Sequence, residues 1–261
     1  MVIPQDNLFH LRRKVSIVTG GGGGLGQTIA IGLAKCGSNV AIADININEA
    51  KSVAKEIESL GRSALVVRAD VTHKQDVDKM VQEVIDKFGG IDVLVNNAGI
   101  ARRARAEEMS EKDWDEVISV NLKGVFLCCQ AVGKVMIKQR RGKIINIASV
   151  VGQRGLFHPL DLACGYCVSK GGVIQLTRAL AAEWAKYNIH VNAIAPTYFM
   201  TEMTRPLLEN KEFLDYLKWK IPLQRPGRPE ELIGPVVFLA SDASSMITGH
   251  ILNVDGGWTA I

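Results

Sequence analysis

A chain of 261 residues, 47% of them hydrophobic, is long for one average domain but ordinary for a single doubly wound α/β domain, and it can bury a full core. Its 31 basic and 27 acidic residues are scattered and leave a net charge of only +4, which gives no argument for a nucleic-acid partner. No apolar run approaches the length of a membrane span and residues 1–14 lack the apolar core of a signal peptide, so the expectation is a soluble, cytoplasmic protein. The five cysteines are an odd number, which argues against a disulfide framework. Cys164 and Cys167 do form C-x-x-C, but no second such pair and no histidine ligand pair accompanies them, so no metal is expected.

In chain order, residues 14–19 (Lys-Val-Ser-Ile-Val-Thr) read as a buried strand, and residues 27–34 carry apolar side chains at helical spacing. Five consecutive glycines, Gly20 to Gly24, then Leu25 and Gly26, join the two. Such a run can be a flexible linker, yet here a strand leads in and a helix leads out without polar padding. At that turn the unpaired N–H groups of the helix start and the positive helix dipole suit a phosphate or pyrophosphate. The glycines fit two templates, G-x-G-x-x-G through Gly21, Gly23 and Gly26, and T-G-x-x-x-G-x-G through Thr19, Gly20, Gly24 and Gly26.

The next strand, residues 39–44, ends in Asp44, where a dinucleotide fold places a carboxylate against the adenosine ribose. A carboxylate there repels a 2′-phosphate, and neither Gly23 nor Ile45 offers a basic group, which predicts NAD over NADP. A polar helix (about 47–60), a strand (64–71) containing Asp70 and Val71, a helix (about 73–88) and a strand (91–99) follow. Asp70 suits either the adenine side of a cofactor site or a helix N-cap. Strands alternating with amphipathic helices imply right-handed βαβ units and a parallel sheet.

With Asn96-Asn97-Ala98-Gly99 added to residues 19–26, the chain resembles the short-chain dehydrogenase/reductase family, and the resemblance selects the Thr19, Gly20, Gly24, Gly26 template. Further motifs stand in order: Asn121 on a helix after Trp114, Ser149 at a strand end, Tyr166-Cys-Val-Ser-Lys170 as Y-x-x-x-K, and residues 192–196 (Asn-Ala-Ile-Ala-Pro) before Thr201. The resemblance implies one Rossmann-type α/β domain over 1–261, a doubly wound, seven-stranded parallel sheet flanked by helices. It implies a dinucleotide half (13–99), a catalytic half (100–261) and a substrate lid at about 197–222. Its implied cofactor contacts are Thr19, Gly20, Gly24, Leu25, Gly26, Asp44, Ile45, Asp70, Val71, Asn97, Ala98, Gly99, Tyr166, Lys170, Pro196 and Thr201. Homotetrameric assembly through the last strand and the helices near Trp114 and Tyr187 is implied in the same way.

The chemistry follows from residue types. Tyr166 and Lys170, at i and i+4 on a helix, project from one face. Oxidising a secondary alcohol needs a base for the hydroxyl proton, and a free phenol with a pKa of about 10 is a poor one. An adjacent ammonium favours the phenolate, so Lys170, helped by the positive charge of an oxidised nicotinamide, is expected to lower the Tyr166 pKa and to hold the cofactor ribose as well. The family resemblance assigns Ser149 to the substrate oxygen and Asn121 to a proton relay with Lys170. Ser149 and Tyr166 are 17 positions apart, longer than the family pattern, so the 150–165 loop carries an insertion beside the site; Pro196-Thr197 replaces the usual Pro-Gly. Arg102 and Arg103, just beyond a strand end, suit a substrate carboxylate and resemble the gluconate 5-dehydrogenase and 2-deoxy-gluconate dehydrogenase-like branch. The resulting expectation is NAD-dependent alcohol–ketone interconversion on a sugar acid or polyol, against a 3-oxoacyl-carrier-protein reductase-like enzyme or a non-catalytic dinucleotide-binding scaffold.

Overall fold

The computed structural model describes residues 8–156 and 158–261. The leader reading for residues 1–14 falls, over residues 1–7, outside them. Seven strands, β1 (Val15–Thr19), β2 (Asn39–Asp44), β3 (Ala64–Arg68), β4 (Val93–Asn96), β5 (Gly142–Ile147), β6 (Ile189–Pro196) and β7 (Ile251–Val254), form one sheet in the order β3-β2-β1-β4-β5-β6-β7. Every pairing is parallel. Crossover helices cover both faces, which is why β1 is buried at all five positions and reads as a continuous apolar run. One face packs on α3 (Lys74–Phe88), α5 (Gly124–Gln139) and α6 (Cys164–Trp184) through residues such as Met80, Val132 and Val173. The other packs on α1 (Gly24–Lys35), α2 (Ile47–Ser59) and α9 (Ile233–Ala240) through Ile29, Ile57 and Val236.

A smaller apolar cluster of Tyr198, Leu207, Phe213, Leu217, Ile221 and Trp258 lies over the strand ends. It is built by two short helices, α7 (Arg205–Leu208) and α8 (Lys211–Lys220). Helix α4 (Glu111–Ile118) runs into α5 through a π-helical stretch, Ser119–Lys123. Together they make a 29-residue helix, Glu111–Gln139, with a mean hydropathy of 1.4 over its most apolar window. That corrects the expectation that nothing approaches a membrane span: by length and composition this helix qualifies. The apolar character has a local cause, since half of the window is buried and α5 contributes Leu127, Cys128, Val132 and Met136 to the core.

Gly26 shows how tightly the first turn is built. A Cβ there would overlap the Gly20 carbonyl oxygen and the Asn97 amide nitrogen. Gly26→Ala is therefore expected to cost roughly 3 kcal/mol as overpacking against backbone, and to lower the melting temperature by at least about 6 °C in a thermal unfolding scan.

Candidate active site

The site starts where β1 and β4 diverge. Thr19, at the end of β1, is buried, and its Oγ1 accepts hydrogen bonds from the backbone N–H of Asn97 (3.1 Å) and Ala98 (3.2 Å). Asn97 answers by donating from Nδ2 to the carbonyls of Thr19 (3.1 Å) and Gly20 (3.0 Å). The two motifs are thus one hydrogen-bonded crosslink. Behind it, Asn96 donates to Asn146 (2.8 Å) and Asn146 to Thr177 (2.9 Å), so buried amides continue the link across β5 to α6.

A cleft of about 620 Å³ opens over the glycine turn, lined among others by Gly22, Gly24, Glu49, Thr201 and Arg205. Helix α1 begins there without a side-chain cap, because its N-cap is Gly23. Its first N–H groups are left for an anionic guest. Gly24, at φ +54, has open space where a Cβ would stand. Asp44 sits at the rim, accepting from the N–H of Gly22 (2.8 Å) and Asn46 (2.9 Å). These residues fit a dinucleotide: a phosphate against bare N–H groups and a ribose beside the carboxylate. Leu25 and Val71 have apolar surroundings instead, Leu25 against one core and Val71 within the other. Ile45 is two-thirds exposed. Asp70 accepts from the N–H (2.9 Å) and hydroxyl (2.7 Å) of Thr72, and the N-cap position of α3 is His73.

The strand ends bring the other motif residues together. A second, narrower cavity is lined by Ser149, Tyr166, Arg103, Asp161, Thr197 and Tyr198, with Ala101, Val150, Val151, Leu156, Ala163, Met203 and Thr204. Asn121 and Lys170 are both buried and both face Gly99: a Cβ on Gly99 would stand 3.3 Å from Asn121 Oδ1 and 3.7 Å from Lys170 Nζ. Asn121 accepts from the N–H of Ile100 (2.8 Å) and donates to its carbonyl (2.9 Å) and to the Ser169 hydroxyl (3.1 Å). Lys170 donates to the Ile147 carbonyl (2.7 Å), and its Nζ is 5.5 Å from the Tyr166 ring centroid. Gly152 lets the turn after Ser149 lie directly on the α6 backbone, where a Cβ would stand 2.6 Å from the Lys170 carbonyl carbon.

Burial dominates the electrostatics. It pushes the Tyr166 phenol up to about 12, with the Asp161 and Cys167 charges adding to it; the hydrogen bond from Ser149 and the Arg103 charge act the other way. Burial likewise pushes Lys170 down to about 8. The residues pulling the Tyr166 pKa down are Ser149 and Arg103, while Lys170 donates to the Ile147 carbonyl.

The two arginines part company. Arg102 turns outward to Glu116 (2.9 Å) and Asp113 (3.5 Å) and does not line the cavity. Arg103 reaches the cavity and donates from Nε to Asp161 (2.5 Å). Asp161, buried at 5% exposure, accepts a second hydrogen bond from the Tyr198 hydroxyl. Sequence reasoning missed Asp161, Tyr198 as its partner, and Thr197, whose Oγ1 is buried without a partner among the described residues. The only signal was indirect, in the long Ser149–Tyr166 spacing and the loss of the Pro-Gly glycine.

Comparison with known proteins agrees with this geometry. Residues 21–259 match the family model described as enoyl-(acyl carrier protein) reductase. The chain is 45% identical over 260 residues to the 2-dehydro-3-deoxy-D-gluconate 5-dehydrogenase of Dickeya dadantii, covering 97% of this chain and 98% of that protein. It is 43% identical over 253 residues to the 5-keto-D-gluconate 5-reductase of Escherichia coli K12, with the same 97% and 98% coverage. A gluconate 5-dehydrogenase from Burkholderia cenocepacia, solved in complex with NADP and tartrate, is similar at a TM-score of 0.93 and 40% identity over 98% of both chains.

Because Asn121 pairs both backbone groups of the half-buried Ile100, Asn121→Leu leaves two polar groups unmet and should cost about 2–6 kcal/mol in a denaturant melt, at about 1–3 kcal/mol for each. Loss of protection of the Ile100 amide in hydrogen exchange would locate the damage there.

Proposed function

This chain belongs to the short-chain dehydrogenase/reductase family, and we propose that it uses NAD(H) to interconvert a secondary alcohol and a ketone on a sugar acid or polyol. The observation that carries the reading is the meeting of Ser149 and Tyr166 on one cavity wall, with Lys170 and Asn121 against Gly99 just beyond β4. A nicotinamide dinucleotide in that cleft supplies the hydride carrier. Thr19, Asn97, Gly20 and Gly26 shape the turn, Gly24 leaves room for the pyrophosphate, Asp44 takes the ribose, and Ala98, Gly99, Pro196 and Thr201 line the path toward the reacting end.

In oxidation, Tyr166 Oη accepts the proton of the substrate hydroxyl while Ser149 hydrogen-bonds the same oxygen, limiting the charge that builds on it. In reduction, Tyr166 returns the proton. Lys170 and Asn121 hold the inner end of the proton route beside Gly99. A phenol pushed up to about 12 is protonated at neutral pH, ready as the acid for ketone reduction. Alcohol oxidation instead requires that proton to leave. The reading also takes residues 197–222 as the lid, and a homotetramer as the assembly, supported by the exposed Phe126 and Val168 on the helices α5 and α6.

The NAD preference rests on two carboxylates, Asp44 at the turn and Glu49 in the cleft wall, with Glu49 Oε2 3.3 Å from where a Gly23 Cβ would stand. Like charges repel a 2′-phosphate by at least ~1.4 kcal/mol at such range, so NAD should exceed NADP about tenfold or more in kcat/KM. Asp44→Ala should narrow that ratio. Comparable rates with both cofactors would refute the preference, a sharp test given the NADP-bound Burkholderia relative.

Two kinetic outcomes test the catalytic assignment. Tyr166→Phe is expected to lower kcat by about 10²–10⁴ with NADH affinity, read by fluorescence, nearly unchanged. The kcat/KM for oxidation should climb from pH 7 toward pH 10, while that for reduction falls over the alkaline end.

A further inference from the structure

Resting on the oxidoreductase reading, we propose that the Asp161–Arg103 pair makes the substrate cavity charge-compensated, so that it selects an uncharged polyol over the corresponding sugar acid. Asp161 is the specificity-determining residue. The long loop between Ser149 and Tyr166 carries Asp161 into the cavity wall, through the short 3₁₀ turn Pro159–Asp161. There Oδ1 takes Arg103 Nε and Oδ2 takes the Tyr198 hydroxyl. The arginine that would otherwise attract a carboxylate therefore enters the site already paired.

The pair is not symmetric. The Asp161 side chain is 7% exposed and that of Arg103 is 32%, so the negative partner lies deeper. Its influence is also the larger one on the neighbouring phenols: at both Tyr166 and Tyr198 the Asp161 charge raises the pKa more than the Arg103 charge lowers it. An incoming anion therefore meets the Asp161 carboxylate as well as the Arg103 guanidinium.

The remaining polar atoms suit hydroxyl groups. Arg103 keeps its two Nη atoms without partners among the described residues, Thr197 Oγ1 is buried and unpaired, and a carboxylate oxygen retains lone pairs beyond the two it uses. A hydroxyl donates and accepts, so a polyol can meet Asp161 and the Arg103 and Thr197 donors together. A substrate carboxylate only accepts, and it would leave Asp161 facing a like charge. The competing possibility is that Asp161 merely aims the free Nη edge of Arg103 at an acid. The two ideas predict opposite signs for one substitution.

The decisive measurement is calorimetric binding of D-glucitol and D-gluconate, which differ at one terminal carbon, to the NADH complex of the wild type and of Asp161→Asn. The wild type should bind glucitol about tenfold or more tightly than gluconate, and Asp161→Asn should tighten gluconate by about tenfold while weakening glucitol. Gluconate bound as well as or better than glucitol by the wild type overturns the proposal, as does binding of neither, or an Asn variant that weakens gluconate. The wild-type ratio decides alone if the variant does not fold. Turnover is a separate readout: glucitol bound but never oxidised by NAD sinks the oxidoreductase reading, whereas gluconate bound preferentially and oxidised sinks only this one.

Discussion

Everything in the site depends on the crosslink between the ends of β1 and β4. In a sheet ordered β3-β2-β1-β4-β5-β6-β7, chain connections leave in opposite directions from β1 and β4, and a crevice opens between them. An open crevice is a weakness unless its walls are tied. Here the Thr19 hydroxyl receives two backbone N–H groups from the β4 end, and the Asn97 amide returns two donors to the β1 end. The glycine turn gets its shape from this tie, since Gly26 has room only while the Gly20 carbonyl and the Asn97 amide stay where they are. Cofactor cleft and strand register are thus one object, and a fault in either shifts the other.

A second dependence links the 150–165 loop to residues 197–222. His158 stacks edge-on against Phe213 (5.0 Å between centroids) and tilts over Tyr216 (4.5 Å), while Asp161 takes the Tyr198 hydroxyl. Phe213 and Tyr198 belong to the apolar cluster over the strand ends, so the 150–165 loop packs on a core separate from the two faces of the sheet. Separating Tyr198 from Asp161 would leave a buried carboxylate short of one hydrogen bond.

How much of this was legible in the sequence divides along the reach of the interactions. The parallel sheet, the glycine turn, Asp44 and the Tyr166–Lys170 pair lie in local patterns: a buried run, a helical period, an i,i+4 spacing. The roles of Arg102 and Arg103 were not separable, because adjacent residues in a loop look alike until the backbone sends one to Glu116 and the other to Asp161. Asp161 is 58 positions from Arg103, and nothing local marks it as a partner. The placement of Lys170 was legible only in part for a related reason: spacing brings the ammonium near the ring, but its hydrogen bond goes to the Ile147 carbonyl, 23 positions away.

The electrostatic character of Tyr166 follows from what stands on its two sides. Toward the glycine cleft lies Lys170, whose burial brings its pKa to about 8, so its charge is easily lost above neutrality. Toward the substrate lies Asp161, held in place by Arg103 and Tyr198 and raising the phenol further. In the bare protein burial and Asp161 prevail, and the phenol keeps its proton. On the proposed reading, an oxidised nicotinamide held by the glycine turn would add positive charge near the phenol and so would favour its ionised form. The proton affinity of Tyr166 would then follow the direction of the proposed reaction, lowered with the oxidised cofactor bound and high with the neutral, reduced one, when a ketone needs a donor.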